Sequence, residues 1–425
     1  MSAFDKVIGY KEIKDELIRV CDIMKNPQKY NKLGIKLPKG LVLYGAPGVG
    51  KTLLAKCMME ESGRAQFIFR KKQEDGDFMK TLNKMFEDAK QQAPSIILLD
   101  DIDKFGESSK NNSNDSEYVA VQSCIDDSKE DDIFIVATCN ARSYLPESLV
   151  RAGRFDLQYK IDIPTGKECE QIVDYYLKHK KCASDVDTKE IAKMLDGASC
   201  AALESVVNQG GIYAGYAGKE EIEMCDMVEA VLGVLFNSPK SIKQNSKKEA
   251  EAFAIHEAGH TIVSEVLSPN SVHLVTIRKH IGDIGGFTFL NREEDYWIDI
   301  NQMKQRVMSL LGGRVATELV YGRVDTGTGN DLERAEKVLQ RWAMDYGAFG
   351  FNKVFHSYID RPGGALQDRI DLAVANEMEK LYADVKQIVA TNMDFLKAVA
   401  NALIEKETLT AKDISEIKKS HKICK

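Results

Sequence analysis

Residues 40–58 leave the chain little conformational choice. The apolar run Gly40-Leu41-Val42-Leu43-Tyr44 leads directly into Gly45-Ala46-Pro47-Gly48-Val49-Gly50-Lys51-Thr52, and the helical pattern Leu53-Leu54-Ala55-Lys56-Cys57-Met58 follows at once. Strand, GxxxxGKT loop and helix in that order predict a phosphate-binding α/β domain. Glycines let the backbone N–H groups wrap phosphates at a helix N-terminus, Lys51 reaches the β- and γ-phosphates, and the Thr52 hydroxyl ligates Mg²⁺. The predicted nucleotide site is therefore Gly45, Ala46, Pro47, Gly48, Val49, Gly50, Lys51, Thr52 and Leu53, with ATP and Mg²⁺ as ligands.

A Mg²⁺ site needs a carboxylate. Ile96-Ile97-Leu98-Leu99-Asp100-Asp101 ends a buried-type strand, which makes Asp100 the predicted Mg²⁺ carboxylate and Asp101 the candidate base for the attacking water. A third apolar strand, Ile133 to Thr138, is followed by Asn140, whose amide is placed to orient that water; in isolation it would read as a turn residue. In Leu149-Val150-Arg151-Ala152-Gly153-Arg154-Phe155-Asp156 two arginines lie far along the chain from the phosphate loop. Alone they are solvated charges. Supplied to a neighbour's γ-phosphate they would stabilise charge in phosphoryl transfer, which requires a ring or dimer.

A second chemistry lies downstream. His256-Glu257-Ala258-Gly259-His260 falls in a segment, Glu249 to Leu267, with an amphipathic helical pattern. Histidines four residues apart leave one helix face and bind one Zn²⁺, with Glu257 beside the metal as general base. A catalytic zinc usually has a third protein ligand. On the residues alone, Asp331 reads equally as that ligand or as the N-cap of a helix beginning at Leu332, and Glu318 is a rival acid.

Taken together, the glycine loop, Asp100-Asp101-Ile102-Asp103, Asn140, Arg151-Ala152-Gly153-Arg154-Phe155-Asp156 and the His-Glu-Ala-Gly-His run resemble FtsH-type AAA+ zinc metalloproteases. The similarity extends from Phe4-Asp5-Lys6-Val7-Ile8-Gly9 to Leu403-Ile404-Glu405-Lys406-Glu407-Thr408-Leu409. It implies Ile8 and Gly9 beside the adenine, and Lys51 and Thr52 as the Walker A pair. It implies Asp100 and Asp101 as the Walker B acids, Asn140 as sensor 1, and Arg151 with Arg154 as arginines acting in trans. Thr326-Gly327-Thr328-Gly329-Asn330-Asp331 matches the family segment whose aspartate completes the zinc site, which leaves Glu318 a supporting or helix-packing role. Gly197-Ala198-Ser199 falls where the family's helical subdomain approaches the nucleotide, although Cys200-Ala201-Ala202 departs from the usual residues there.

The implied function is an ATP-dependent zinc endopeptidase working as a homo-oligomer, a hexameric ring, on unfolded or loosely folded proteins. A peptidase in which ATP mainly supports assembly and a chaperone-like remodeller with a structural zinc are the alternatives. The expected fold is multidomain: an α/β AAA+ nucleotide-binding subdomain over 1–163, a helical lid over 164–236, a linker over 237–248 and a mainly α-helical zinc protease domain over 249–425. Within the last, Leu274 to Arg278 and Gly285 to Leu290 predict a β hairpin.

Composition is consistent with this reading. A net charge of −7 argues against a nucleic-acid binder, and 425 residues with 44% apolar content suffice for two or three packed domains. Nine cysteines without a Cys-x-x-Cys pair read as reduced thiols of a cytoplasmic protein. No run is long enough to cross a bilayer, whereas the resemblance implies an N-terminal anchor, so the chain reads as cytoplasmic, or as the cytoplasmic-face part of a longer protein.

Two departures bear on mechanism. The family's aromatic, substrate-gripping pore loop is replaced by the shorter, charged Gln66 to Met79 stretch. Phe78-Met79 either substitutes for the gripping aromatic or belongs to an amphipathic helix with Phe78, Leu82 and Phe86 inside. Asp101 stands where the family usually has glutamate, which implies slow ATP turnover.

Overall fold

The computed structural model describes residues 2–71, 78–106, 114–238, 245–279, 285–290, 298–323, 326–351 and 364–424. The chain divides into two compact units, one of residues 1–188 with 195–227 and one of residues 189–194 with 228–425.

The first unit is built on five parallel strands: β1 (Gly40–Tyr44), β2 (Ala65–Arg70), β3 (Ser95–Asp100), β4 (Ile133–Cys139) and β5 (Leu157–Lys160), in the order β2-β3-β4-β1-β5. Alternate residues of the central strands point to opposite faces, as a pleated strand requires. Leu41, Leu43, Ile96, Leu98 and Val136 pack with helices Lys11–Lys25 and Lys51–Ser62 on one side, while Val42, Ile97, Leu99 and Ile135 pack with Phe78–Gln91 and Asn114–Asp127 on the other. Covering both faces explains why these strands are apolar throughout. The order reverses beside β1, and the glycine loop follows that strand, at the switch point where open α/β sheets bind ligands. From Gly166 to Leu235 the elements are helical, as expected.

The helix Phe78–Gln91 settles one of the alternatives. Phe78 is 4% exposed and stacks edge-to-face with Phe69 and Phe105 at centroid distances of 5.3 Å each, while Leu82 and Phe86 are buried beside it. The gripping-aromatic reading of Phe78 is therefore corrected: the side chain is core, held by three mutually perpendicular rings. The charged segment Gln73 to Asp77 lies outside the described residues.

The second unit has a three-stranded antiparallel sheet, β6 (Val272–Thr276), β7 (Phe287–Leu290) and β8 (Thr408–Thr410), in the order β7-β6-β8, against long helices. The hairpin was expected; β8 was not, because three residues far along the chain carry too weak a pattern. The linker boundary also moves. The helix expected from Glu249 starts at Lys247, because Ser246 accepts from the Glu249 N–H while the Glu249 carboxylate accepts from the Ser246 N–H.

This motif helix, Lys247–Leu267, crosses Ile300–Tyr321 at two glycines. A Cβ on Gly259 would lie 2.3 Å from the Gly312 carbonyl oxygen, and one on Gly312 would lie 2.4 Å from that of Gly259. The backbones meet there with no room for a side chain. Ile262, Leu311, Val315, Leu339, Val385 and Leu403 fill the core around the crossing.

Candidate active sites

At the C-terminal ends of β1, β3 and β4 the predicted nucleotide residues come together. Lys51, 7% exposed, donates to the carbonyl oxygens of Gly45 (2.8 Å) and Ala46 (2.9 Å) and to Asn140 Oδ1 (3.1 Å). Burial lowers its pKa, against the pull of Asp101 and Asp103. Asp100 Oδ1 accepts from the hydroxyls of Thr52 and Thr138, each at 2.8 Å. Thr52 and Asp100 thus share one locus, the pairing expected of residues that hold Mg²⁺.

Asn140 is fixed through Asp103 Oδ2, which accepts from its side-chain amide at 2.7 Å. Sequence reasoning gave Asp103 no role. Asp101 sits at φ 55° with its N–H donating to Thr138 Oγ1, a conformation that an aspartate tolerates better than most residues. Its carboxylate pairs with Lys104 (2.8 Å) and lies 3.6 Å from Arg70. Arg70 was also missed: the β2–β3 register sets it directly opposite Asp100.

The flanking segments lie close to the loop. Ala201 N–H, in the first turn of helix Cys200–Tyr216, donates to the Gly48 carbonyl at 3.0 Å. Ile8 and Gly9 precede Tyr10, whose N–H donates to Glu168 Oε1 (2.7 Å) and whose hydroxyl donates to the Asp162 carbonyl (3.0 Å).

The two arginines differ. Arg151 is exposed. Arg154 is 4% exposed, and its guanidinium makes a forked contact with Asp126, Nε to Oδ1 at 2.9 Å and Nη2 to Oδ2 at 2.5 Å, while Nη1 donates to the Ser148 carbonyl. Arg154 is thus engaged within its own chain by a bidentate internal carboxylate, whereas Arg151 is the arginine left exposed.

In the second unit His256, His260 and Asp331 converge. His256 Nε2 lies 3.0 Å from His260 Nε2 and 3.2 Å from Asp331 Oδ2, and His260 Nε2 lies 3.3 Å from the same oxygen. Tetrahedral zinc with donors at roughly 2.0–2.1 Å spaces them about 3.3 Å apart, so the triangle fits the ion. His260 Nδ1–H donates to the Ser309 carbonyl at 2.7 Å, which leaves the Nε2 lone pair facing the triangle. Burial opposes charge on His260, but Asp331 and Glu257 outweigh it and raise its pKa to about 9. Burial likewise opposes charge on Asp331, yet the two histidines hold its carboxyl well below the usual range. Such a site favours positive charge at its centre.

The rival roles separate. Asp331 is the third residue of helix Gly329–Asp345, whose N-cap position is Thr328, and its carboxylate faces the histidines. Glu318 instead accepts from the Tyr382 hydroxyl and pairs with Lys386 (3.1 Å). Sequence reasoning missed Gly313, where a Cβ would lie 2.5 Å from His256 Cε1 and 2.6 Å from the Nε2 atoms of both histidines. The Gly312-Gly313 pair inside a helical pattern was the available signal. Glu257 is 3% exposed and opens, with the histidines, onto a cleft of about 1330 Å³ lined by Phe253, Phe287, Arg306 and Arg334 among others.

Known proteins share both halves. Residues 41–163 match the ATPase family associated with various cellular activities (AAA), and residues 243–417 match Peptidase family M41. The chain is 32% identical to the ATP-dependent zinc metalloprotease FtsH of Caldicellulosiruptor bescii, over 97% of this chain and 71% of the relative. It is equally similar to FtsH 1 of Thermoanaerobacter sp. (97% and 72%) and to FtsH of Bacillus subtilis (32% identity; 97% and 69%). Zn²⁺ and ATP, with the usual Mg²⁺, are its cofactors. Among the described residues no helix is long and apolar enough to cross a membrane. With its nucleotide-binding and peptidase halves on one chain, this protein belongs to the FtsH family of ATP-dependent zinc metalloproteases.

Proposed function

We propose that His256, His260 and Asp331 hold the zinc, that Glu257 is the general base, and that the substrates are unfolded or loosely folded polypeptides cut within a homohexameric ring. The convergence of three donor atoms beside a buried glutamate carries the reading. Zn²⁺ supplies Lewis acidity there. Glu257 takes the proton of the attacking water and passes it to the leaving amine.

At the other site Lys51 would meet the β- and γ-phosphates, Thr52 and Asp100 would hold Mg²⁺, Asp101 would receive the water's proton and Asn140 would orient that water. Arg151, being exposed, is the arginine we assign to the neighbour's γ-phosphate; Arg154 supports the turn that carries it. We take 164–236 as the lid over the nucleotide. We assign the chain to the cytoplasm or the cytoplasmic face of a membrane, a reading supported by nine cysteines without a disulfide.

Degradation of a folded and an unstructured substrate, each with ATP and with a non-hydrolysable analogue, tests the coupling. ATP hydrolysis is expected to stimulate cleavage. Equal cleavage with the analogue would mean that nucleotide serves assembly, and no cleavage by the zinc-loaded chain would leave a remodeller.

A further inference from the structure

Glu257 is gripped from outside its own helix. Its Oε2 lies 2.7 Å from the hydroxyl of Thr288, on the sheet-edge strand β7, while the Glu257 backbone carbonyl is 3.4 Å from that hydroxyl and already accepts from Thr261 Oγ1 at 2.8 Å. The shorter contact takes the Thr288 proton, since a hydroxyl has only one to donate. Two residues earlier, a Cβ on Gly286 would lie 3.0 Å from Glu257 Cγ and 2.2 Å from the Thr276 carbonyl oxygen. The backbone just before the strand thus passes so near the glutamate's methylene groups that only glycine fits there, and Thr288 within the strand hydrogen-bonds the carboxylate.

Gly286 immediately precedes β7, and pairing of Thr288 with Val275 of β6 fixes the register of the strand that carries the hydroxyl. A free glutamate has three side-chain torsions, and a base must hold one of their combinations to meet a water's proton. Here the χ angles are restricted by packing at Cγ, and the carboxylate plane by one charge-assisted hydrogen bond.

We propose that Thr288 is a positioning residue for the peptidase reaction: its hydroxyl orients the Glu257 carboxylate. The proposal rests on the reading of Glu257 as base. It also makes β7 a two-function strand, with Thr288 setting the base and Phe287, Phe289 and Leu290 lining the cleft.

Steady-state cleavage of a short peptide by full-length Thr288→Val, Thr288→Ala and Thr288→Ser chains tests it, with zinc content and ATP hydrolysis measured in each. Valine keeps the β-branched shape without the donor, alanine removes donor and bulk, and serine keeps the donor alone. We expect kcat to fall about 10- to 100-fold for valine and alanine with KM changed less than about twofold, zinc content and ATPase retained, and serine close to wild type. Undiminished kcat in the valine or alanine chain, a loss confined to KM, or a serine chain as impaired as the valine one would overturn the proposal. Glu257→Gln, measured alongside, keeps the two failures apart. An active Glu257→Gln chain removes the base reading itself, whereas an inactive one beside a fully active Thr288→Val chain removes only the positioning role.

Discussion

Arg70 Nη2 stands 2.6 Å from Asp100 Oδ2, on the oxygen that the Thr52 and Thr138 hydroxyls leave open. The arginine side chain is 60% exposed and the aspartate 4%, so the cation can swing away while the carboxylate cannot. A divalent ion adding to Asp100 must share that oxygen or displace the guanidinium. Arg70→Ala should therefore lower the Mg²⁺ concentration that half-saturates ATP hydrolysis by about fivefold, equivalent to about 1 kcal/mol for a partly exposed pair. A Mg²⁺ titration of ATPase activity reads this directly. Loss of turnover at every Mg²⁺ concentration would assign Arg70 to the phosphates instead.

Glu257→Gln should keep one zinc per chain and lose about 10²- to 10⁴-fold in peptide cleavage, because it removes a base and no ligand. Asp331→Asn should lower zinc affinity more than about tenfold. Glu318→Gln should leave zinc intact, since that carboxylate serves Tyr382 and Lys386. Metal analysis after dialysis distinguishes the two acids.

Gly313→Ala should abolish zinc binding while sparing ATP hydrolysis. The added methyl would meet both histidines at 2.5–2.6 Å, closer than any carbon tolerates, and the two side chains must leave the triangle. Full zinc occupancy in that variant would show that the helices can part at little cost.

For the arginines the expected outcomes diverge. Arg151→Ala should bind nucleotide but hydrolyse it poorly, and mixing it with Lys51→Ala subunits should restore some turnover at mixed interfaces. Arg154→Ala should instead destabilise the first unit by about 1–2 kcal/mol, because the Ser148 carbonyl loses its donor and Asp126 keeps only Lys129. The Arg154 guanidinium holds the Asp126 carboxyl well below its usual range, so the pair's stabilisation is present above about pH 4 and lost as pH falls through the lowered value. Thermal melting of wild type and Asp126→Asn should converge in acid.

Phe78→Ala should cost about 3–5 kcal/mol and reduce ATPase and ATP-driven proteolysis together. Phe78 is in the core, the sequence around it is charged from Gln73 to Asp77, and hydrated carboxylates grip apolar chain weakly. Wild-type enzyme should then digest unstructured polypeptides readily and stable folded domains slowly even with ATP. Rapid degradation of a stable domain would refute weak grip.

What could be read from sequence was chemistry carried by local spacing. The glycine loop, Asp100 at a strand end and the two histidines one turn apart each report on neighbours within a few residues, and the structure joins them as expected. What could not be read depends on pairing across the chain. Arg70 meets Asp100 through the β2–β3 register, Arg154 turns inward to Asp126, 28 positions away in sequence, and Thr288 reaches the helical Glu257 from strand β7. None of these contacts leaves a periodic trace, and a three-residue strand such as β8 leaves hardly any.

Asp331, the third zinc ligand we propose, stands 75 positions beyond His256. An ion held by both would be a reversible cross-link between the helices Lys247–Leu267 and Gly329–Asp345, and would bind the native arrangement far better than an open chain. With free zinc a thousandfold above its dissociation constant, that linkage adds about 4 kcal/mol to resistance against unfolding. Starved of metal, the peptidase half loses its chemistry and part of its mechanical closure in the same event, so one ion serves as reagent and as clasp.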